Sequence, residues 1–124
     1  MKILFLDDDE ARHEMFGELI HGRHEIKKVY TADECIKQLK IGKWDMLFLD
    51  HDLGGKVFVE SGTGTGYEVA CYLEEFPKEQ VDRTYIHSFN PTGAHKMGQA
   101  IPKAIIKPIN IVYSEIEEIL RGEK

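Results

Sequence analysis

Two carboxylates and an imidazole directly follow one apolar run of the sequence. Residues 46–49 are all hydrophobic, and Asp50, His51 and Asp52 come next, ahead of a Leu-Gly-Gly segment that favours a turn. A fold does not need such a cluster to be stable, so the cluster indicates chemistry. Carboxylates bind divalent cations, and an imidazole or a carboxylate beside them can act as a general base. These three residues are therefore predicted to be catalytic.

Polar groups follow three other apolar runs in the same way. Asp7 and Asp8 come after the first run, Ser88 after the fourth and Lys107 after the fifth. If Asp7, Asp8 and Asp50 lie together, their charges repel unless a cation is shared, and Mg²⁺ or Mn²⁺ is the simplest such cation. Ser88 and Lys107 would then face the acids with a hydroxyl and an ammonium. Together these groups predict a cradle for a phosphoryl group, whose oxygens need positive charge in the transition state.

The elements that position these groups alternate between strands and helices. Strands are predicted at residues 3–6, 25–30, 46–49, 84–87 and 104–106. Helices are predicted to begin after the caps Asp9, Thr31 and Asn110, and at Gly66 and Pro91. This alternation is typical of an α/β fold: a doubly wound, five-stranded parallel sheet with the flavodoxin-like strand order 2-1-3-4-5. Strands one and three are neighbours in that order, so the acids should meet at the carboxyl ends of the strands, where such sheets bind ligands.

Composition limits the classes of partner. The 124 residues suit one domain, and the net charge of −6 disfavours DNA or an anionic membrane as the main partner. Cys35 and Cys71 have no CxxC spacing, so reduced core thiols are expected. The sequence contains neither a signal peptide nor a long apolar run, which leads us to expect a cytoplasmic protein. The oligomeric state is left open.

The order of these motifs resembles that of response-regulator receiver domains. An acidic pair after the first strand, an Asp ahead of Leu-Gly-Gly after the third, a Ser after the fourth and Lys-Pro after the fifth form the pattern of that family. The resemblance implies the following roles: metal binding for Asp7, Asp8 and Asp50, phosphoryl acceptance for Asp50, and phosphate binding for Ser88 and Lys107. It also implies a cis peptide bond between Lys107 and Pro108. It extends over residues 1–124 as a single receiver-like domain with no attached effector domain.

Two positions depart from the receiver pattern. Receivers usually have a small residue after the hydroxyl and an aromatic residue three positions before the Lys, whereas this chain has Phe89 and Ala104 there. Without the aromatic residue, the usual coupling of phosphorylation to an output surface is not expected.

The same departures fit a divergent subfamily. Residues 49–55 and 87–93, together with the Leu-Asp-Asp-Asp segment at 6–9 and with Arg12, are similar to the cyclic-phosphate processing receiver domains. This resemblance implies an action on nucleotides with cyclic or terminal phosphates instead of phosphoryl relay.

Five further polar residues each have a structural and a functional interpretation. His51 either caps the turn or is a metal ligand or general base, and Asp52 either forms the turn or activates water. His87 is either a core histidine or an acid that protonates the leaving oxygen of a phosphodiester. Asn90 either caps a helix or binds a ligand oxygen, and Arg12 either forms a surface ion pair or clamps phosphate. The other histidines are expected in solvent: His13, His21, His24 and His95.

Three functions are consistent with these residues. In the first, a metal held by the three acids polarises the phosphate of a small-molecule ligand, a nucleotide, which is hydrolysed or bound. In the second, the chain is a stand-alone response-regulator receiver that a histidine kinase phosphorylates on Asp50. In the third, a nucleotide is sequestered without cleavage. The bulky Phe89 and the small Ala104 favour the first function.

Overall fold

A computed structural model describes residues 1–20, 24–52, 64–76, 81–88 and 90–121. The strands are β1 (Lys2–Leu6), β2 (Glu25–Val29), β3 (Trp44–Leu49), β4 (Val81–Ile86) and β5 (Ile105–Ile106). The helices are α1 (Glu10–Leu19), α2 (Ala32–Ile41), α3 (Gly66–Glu75), α4 (Pro91–Ala100), α5 (Ile109–Ser114) and α6 (Ile116–Leu120). None of the helices in these ranges is long and apolar enough to cross a membrane. The predicted alternation of strands and helices is confirmed.

The five strands form one parallel sheet in the order β2-β1-β3-β4-β5, as predicted. Leu49 pairs with Leu6 on one side and with Ile86 on the other, so β1, β3 and β4 end side by side. The ladder continues one residue further, because the Asp50 N–H donates to Leu6 O at 3.2 Å and the His87 N–H donates to Leu49 O at 2.9 Å. The residues that follow these three strands are therefore neighbours at one edge of the sheet.

The sheet is covered on both faces, which explains the unbroken apolar runs. Leu47 and Leu49 of β3 pack with Leu6 in one core, beneath α2, α3 and α4. Met46 and Phe48 point to the other face and pack against residues of α1, α5 and α6. A strand that is dry on both sides has no polar positions to alternate.

The cysteines are free, as expected. Cys35 is fully buried in α2, and Cys71 is half-buried in α3. Burial raises the pKa of the Cys35 thiol well above its ordinary value, which makes this thiol unreactive.

Side-chain caps start three helices where the sequence predicts them. The Asp9 carboxylate accepts the backbone N–H groups of Ala11 and Arg12 at the start of α1. Thr31 and Glu34 form a reciprocal capping box on α2. The Asn90 side chain accepts the Gly93 N–H at the start of α4. Each cap satisfies donors that a helix leaves open in its first turn.

The carboxyl-terminal region differs from the prediction in three ways. The cap at Asn110 is wrong, because α5 begins two residues earlier than that cap implies: Pro108 occupies the cap position, and the Ile111 and Val112 N–H groups donate to the Pro108 carbonyl at 3.0 Å. The chain breaks at Glu115 into two short helices. The cis peptide bond expected before Pro108 is also wrong, since no cis bond occurs in the described ranges. A trans bond is the lower-energy form before proline by about 0.5–1 kcal/mol.

Candidate metal and phosphate site

The Asp7 carboxylate lies fully buried at the end of β1 and accepts four hydrogen bonds. Its Oδ1 accepts the Asp9 N–H at 2.9 Å and Arg12 Nη2–H at 2.8 Å. Its Oδ2 accepts Arg12 Nε–H at 2.7 Å and faces His87 Nε2 at 3.0 Å. Burial alone would raise the pKa of Asp7, but the hydrogen bonds from His87 and Arg12 outweigh burial and hold it well below its ordinary value. Asp7 is therefore a fixed negative charge at the centre of the site.

Asp50 is the second carboxylate and follows β3. It is 5% exposed, and its Oδ2 lies 3.6 Å from Arg12 Nη2. Burial and the negative charge of Asp7 raise the pKa of Asp50 to about 8, against the opposing attraction of Arg12. Two carboxylates with opposite pKa shifts thus lie side by side. A divalent cation placed between them would stabilise the ionised form of Asp50.

His87 joins the two acids from β4. Its ring is buried and stacks on Phe5 with centroids 5.1 Å apart. Because an ionised carboxylate only accepts, the His87 nitrogen that faces Asp7 is the one that donates. Burial lowers the pKa of His87 although Asp7 opposes this shift, so the ring is neutral. Among the described residues, its Nδ1 has no hydrogen-bond partner.

Asp7, Asp50 and His87 each offer a ligand atom, and these atoms lie within 4.8 Å of one another. That spacing suits a single metal ion. We call Asp7, Asp50, His87 and the adjoining Arg12 the Asp7 cluster. Asp7 and Asp50 lie together at the sheet edge, as predicted. The third ligand atom belongs to His87, for which the sequence predicts either a core histidine or a general acid.

Arg12 lies across the acids. Its side chain is 27% exposed, and besides Asp7 and Asp50 its guanidinium reaches Asp8 at 3.7 Å and Asp9 at 3.5 Å. Asp8 lies on the outer side of this group, with its side chain 17% exposed. Arg12 is therefore neither a surface ion pair nor, in this state, a group open to phosphate. The metal role of Asp8 stays a prediction.

A second buried cluster lies beside the first. His51 Nδ1 lies 2.8 Å from Asp52 Oδ1, and Asn90 Nδ2–H donates to the same oxygen at 3.1 Å. The His51 ring is completely buried against α4, where a Cβ on Gly93 would lie 2.5 Å from the ring carbons. We call His51, Asp52 and Asn90 the His51 cluster. It joins the end of β3 to the first turn of α4, and Asn90 is confirmed as the α4 cap.

Ser88 and Lys107 occupy different surroundings. Ser88 is buried, and its Oγ accepts the Asn90 N–H at 3.0 Å. The Lys107 ammonium donates to the carboxylate of Glu115, and this hydrogen bond raises the pKa of Lys107. Their phosphate-binding roles stay predictions, and Lys107 would have to leave Glu115 to fulfil its role.

The expectation that His13 lies in solvent is wrong. His13 is buried on α1, and its Nε2–H donates to the backbone carbonyl of Asp7 at 2.8 Å. The signal was available, because His13, Phe16 and Ile20 are spaced as one buried face of the helix. His95 is exposed as expected and His24 is half-buried, whereas His21 lies outside the described residues.

Solved structures with the same fold are response-regulator receivers. The response regulator TrrA from Thermotoga maritima, in complex with Mg²⁺ and BeF, is 21% identical with a TM-score of 0.68, over 98% of this chain and 96% of that one. The phosphorylated cyanobacterial phytochrome response regulator RcpA is 18% identical with a TM-score of 0.75, over 99% and 96%. The Mn²⁺-bound response regulator Rcp1 is 14% identical with a TM-score of 0.71, over 95% and 90%. At these identities the likeness shows the fold.

The sequence comparison is more specific. No curated protein matches the chain. The family described as the cyclic-phosphate processing receiver domain matches residues 2–103, which contain both the Asp7 cluster and the His51 cluster. With this match over most of its length and with the receiver fold, the chain belongs to the cyclic-phosphate processing receiver domains.

Proposed function

We propose that this domain binds Mg²⁺ or Mn²⁺ at Asp7, Asp50 and His87, and that the loaded site binds or hydrolyses a nucleotide with a cyclic or terminal phosphate. The observation that carries the proposal is the convergence of three ligand atoms within 4.8 Å at the carboxyl ends of the strands. Two receivers of the same fold contain Mg²⁺ and Mn²⁺, which supports the cation. The family supports the cyclic phosphate.

The donor set fits a divalent cation. Two carboxylates supply negative charge, and the neutral imidazole of His87 would bind a metal through Nε2, the nitrogen that faces Asp7, with its proton moved to Nδ1. The imidazole favours a transition metal such as Mn²⁺ over Mg²⁺, which prefers oxygen ligands. Asp8, on the outer side of Arg12, would contribute a further carboxylate.

The remaining residues have distinct tasks in this proposal. A bound divalent cation polarises a phosphoryl oxygen and lowers the pKa of a bound water. The Ser88 hydroxyl, which accepts from Asn90, would donate its own O–H to a phosphate oxygen. Asp52 is the stronger candidate for the general base, because His51 and Asn90 hold its Oδ1 in place. The His51 ring is completely buried, so we assign it to positioning Asp52 instead of to proton transfer.

The metal site is tested by calorimetric titration of Mn²⁺ and Mg²⁺ into the wild type, His87→Asn and the matched control His95→Asn. Loss of a ligand should weaken Mn²⁺ binding by about 10-fold or more. His95 is exposed on α4, so its replacement should change affinity by less than 2-fold. Equal affinities for all three proteins would contradict the assignment of His87.

The ligand is tested with a panel of 2′,3′-cyclic, 3′,5′-cyclic and terminally phosphorylated nucleotides and cyclic oligonucleotides. Each is incubated with the protein and Mn²⁺ or Mg²⁺, and products are followed by ³¹P NMR. Turnover of one member identifies an enzyme, and tight binding without product identifies sequestration. A panel that is neither bound nor cleaved by protein with intact metal binding would refute the nucleotide function.

Phosphorylation of Asp50 is the second candidate function. It is favoured by the position of Asp50 beside the metal ligands and by the fold shared with the phosphorylated RcpA. A histidine kinase would be the physiological donor, and acetyl phosphate with Mg²⁺ would replace it in a test. This candidate requires an acid-labile adduct, detected by mass spectrometry, that Asp50→Ala abolishes. The bond between Lys107 and Glu115 and the small Ala104 make it the weaker candidate.

A further inference from the structure

We propose, on the basis of the metal site above, that Arg12 is an exchangeable internal cation: the divalent cation displaces its guanidinium from Asp7, and the released guanidinium becomes the phosphate-binding group. Metal binding and phosphate binding are then successive events. In the metal-free domain Arg12 occupies the acids, and in the loaded domain it is free to bind an anion.

The hydrogen bonds of Asp7 carry the first step of this inference. A carboxylate has about four lone-pair positions on its two oxygens. In Asp7, Asp9 N–H and Arg12 Nη2–H occupy Oδ1, and Arg12 Nε–H and His87 Nε2–H occupy Oδ2. All four positions are thus in use. A cation held by His87 Nε2 removes the His87 donor, and its charge then repels the Arg12 guanidinium that holds a position on each oxygen.

Arg12 is the donor that can leave. The Asp9 N–H belongs to the backbone at the α1 cap, so moving it would break the start of the helix. The His87 ring is buried and stacked on Phe5. The Arg12 side chain is 27% exposed at the end of a flexible stem, and its contacts with Asp8 and Asp9 lie on the outer side of the site. Its departure costs no backbone or core contact.

The exchange is also favourable in charge. Arg12 brings one positive charge to Asp7 and Asp50, and it reaches Asp50 only at 3.6 Å. A divalent cation would bring two charges to the same pair of carboxylates, which are the kind of ligand it prefers. The guanidinium, released a few ångströms away, has the planar fork that binds a phosphate through two hydrogen bonds.

The exchange is tested by calorimetric titration of Mn²⁺ and Mg²⁺ into the wild type, Arg12→Gln and the control Arg83→Gln. Arg12→Gln should bind Mn²⁺ about 10-fold to 100-fold more tightly, because the metal no longer breaks two charge-assisted hydrogen bonds. Arg83→Gln removes the same charge from β4, where Arg83 donates to the Ile119 carbonyl at 2.8 Å. It lies four residues before His87, which directly follows β4, and this separation exceeds about one screening length, so its effect should stay below 3-fold.

Displacement itself is read from the arginine Nε–H signals in ¹H–¹⁵N NMR spectra, with the Arg12 signal assigned by its loss in Arg12→Gln. Arg12 Nε–H donates to Asp7 at 2.7 Å, so in EDTA its signal should be shifted and protected from exchange with water. At saturating Mg²⁺ the signal should move to the position of an exposed arginine, while that of Arg83 stays unchanged. A structural ion pair would show no such change.

The outcomes separate the exchange from the metal site. If the wild type binds metal but the Arg12 signal does not move, the exchange is refuted and the metal site stands, even where Arg12→Gln binds more tightly through charge alone. If neither the wild type nor Arg12→Gln binds Mn²⁺ or Mg²⁺, the metal site itself is refuted. If only Arg12→Gln binds, the metal ligands stand but Arg12 blocks the site permanently in the wild type, and the exchange is refuted.

Discussion

The Asp7 cluster and the His51 cluster lie side by side at one edge of the sheet, and both are buried and polar. In the Asp7 cluster the charges are unequal: two carboxylates have opposite pKa shifts, and the cation that contacts them among the described residues is a partly exposed arginine. In the His51 cluster one carboxylate oxygen is shared by an imidazole and an amide. Arg12 of the first cluster is therefore the partner that we propose an external cation replaces.

The His51 cluster is enclosed by the backbone of two helices. Its ring packs against Gly93 of α4, and the His51 carbonyl accepts the Gly66 N–H at 2.9 Å from the start of α3. It therefore fixes the ends of β3, α3 and α4 relative to one another. Both clusters are buried, so burial alone does not identify the binding residues of a site. The partner that we propose can exchange, Arg12, lies on the residues that would bind the metal. The contacts of His51 with Gly93 and Gly66 hold residues in position.

The largest expected effect comes from Gly66→Ala, which disturbs both clusters at once. A Cβ on Gly66 would lie 1.9 Å from the Asp50 carbonyl oxygen and 3.0 Å from His51 Cα. Backbone atoms cannot rotate away, so we expect a loss of about 4 kcal/mol or more in the free energy of unfolding, or failure to fold. Urea denaturation provides the measurement.

Gly17→Ala is the matched control for that substitution. A Cβ on Gly17 meets nothing within 4 Å, and the residue lies inside α1, so alanine should stabilise the protein by up to about 1 kcal/mol. If Gly66→Ala unfolded within 1 kcal/mol of the wild type, the close approach of α3 to the end of β3 would be wrong.

The pH dependence of stability separates the two carboxylates of the Asp7 cluster. The pKa of Asp50 is about 8 in the folded protein and about 3.9 when unfolded. Its contribution is therefore fully present below about pH 4 and is lost as the pH rises towards 8. The pKa of Asp7 is lowered on folding, so its contribution is present above about pH 4 and lost only in acid.

The stability of Asp50→Asn relative to the wild type should accordingly increase by about 3–4 kcal/mol from pH 5 to pH 8 in EDTA. Urea denaturation of both proteins at several pH values measures this difference, from which other titrating groups cancel. An unchanging difference between pH 5 and 8 would mean that Asp50 is ionised throughout, contrary to its burial beside Asp7. Saturating Mn²⁺ should reverse the order of stability, because the wild type keeps the ligand.

The sequence predicts the sheet well because its information is local. The apolar runs mark strands that are buried on both faces, and the caps Asp9, Thr31 and Asn90 mark helix starts. The strand order 2-1-3-4-5 is the usual one for a doubly wound sheet of this size. The start of α5 is missed, because Pro108 and Asn110 are both reasonable first residues, and packing decides between them.

The site is only partly predictable for a different physical reason. Asp7 and Asp50 converge because strand ends converge, which topology alone dictates. Side-chain partners depend on tertiary packing. Arg12 donates two hydrogen bonds to Asp7, and Lys107 donates one to Glu115, although each has other acids near it in the sequence. His87 has no signal of its own that separates a core histidine from a metal donor.

The smallest expected effect tests the positioning role of the His51 cluster. A Cβ on Gly93 would lie 2.5 Å from the His51 ring, so Gly93→Ala should lower the free energy of unfolding by about 2 kcal/mol. In a His51→Ala background the ring is absent, and the same substitution should cost about 1 kcal/mol less. The control is Gly98→Ala in the same helix, which meets only the flexible end of Ile106 at 3.1 Å and should be nearly neutral.

The metal affinity of Gly93→Ala then distinguishes positioning from ligation. If His51 only holds Asp52 and α4 in place, the folded variant should bind Mn²⁺ within about 2-fold of the wild type, because Asp7, Asp50 and His87 are untouched. If His51 were a metal ligand, displacing its ring would weaken Mn²⁺ binding as strongly as His87→Asn does. Weakened Mn²⁺ binding would make the two clusters one metal site. Unchanged binding would mean that the Asp7 cluster binds the metal and that the His51 cluster only positions it.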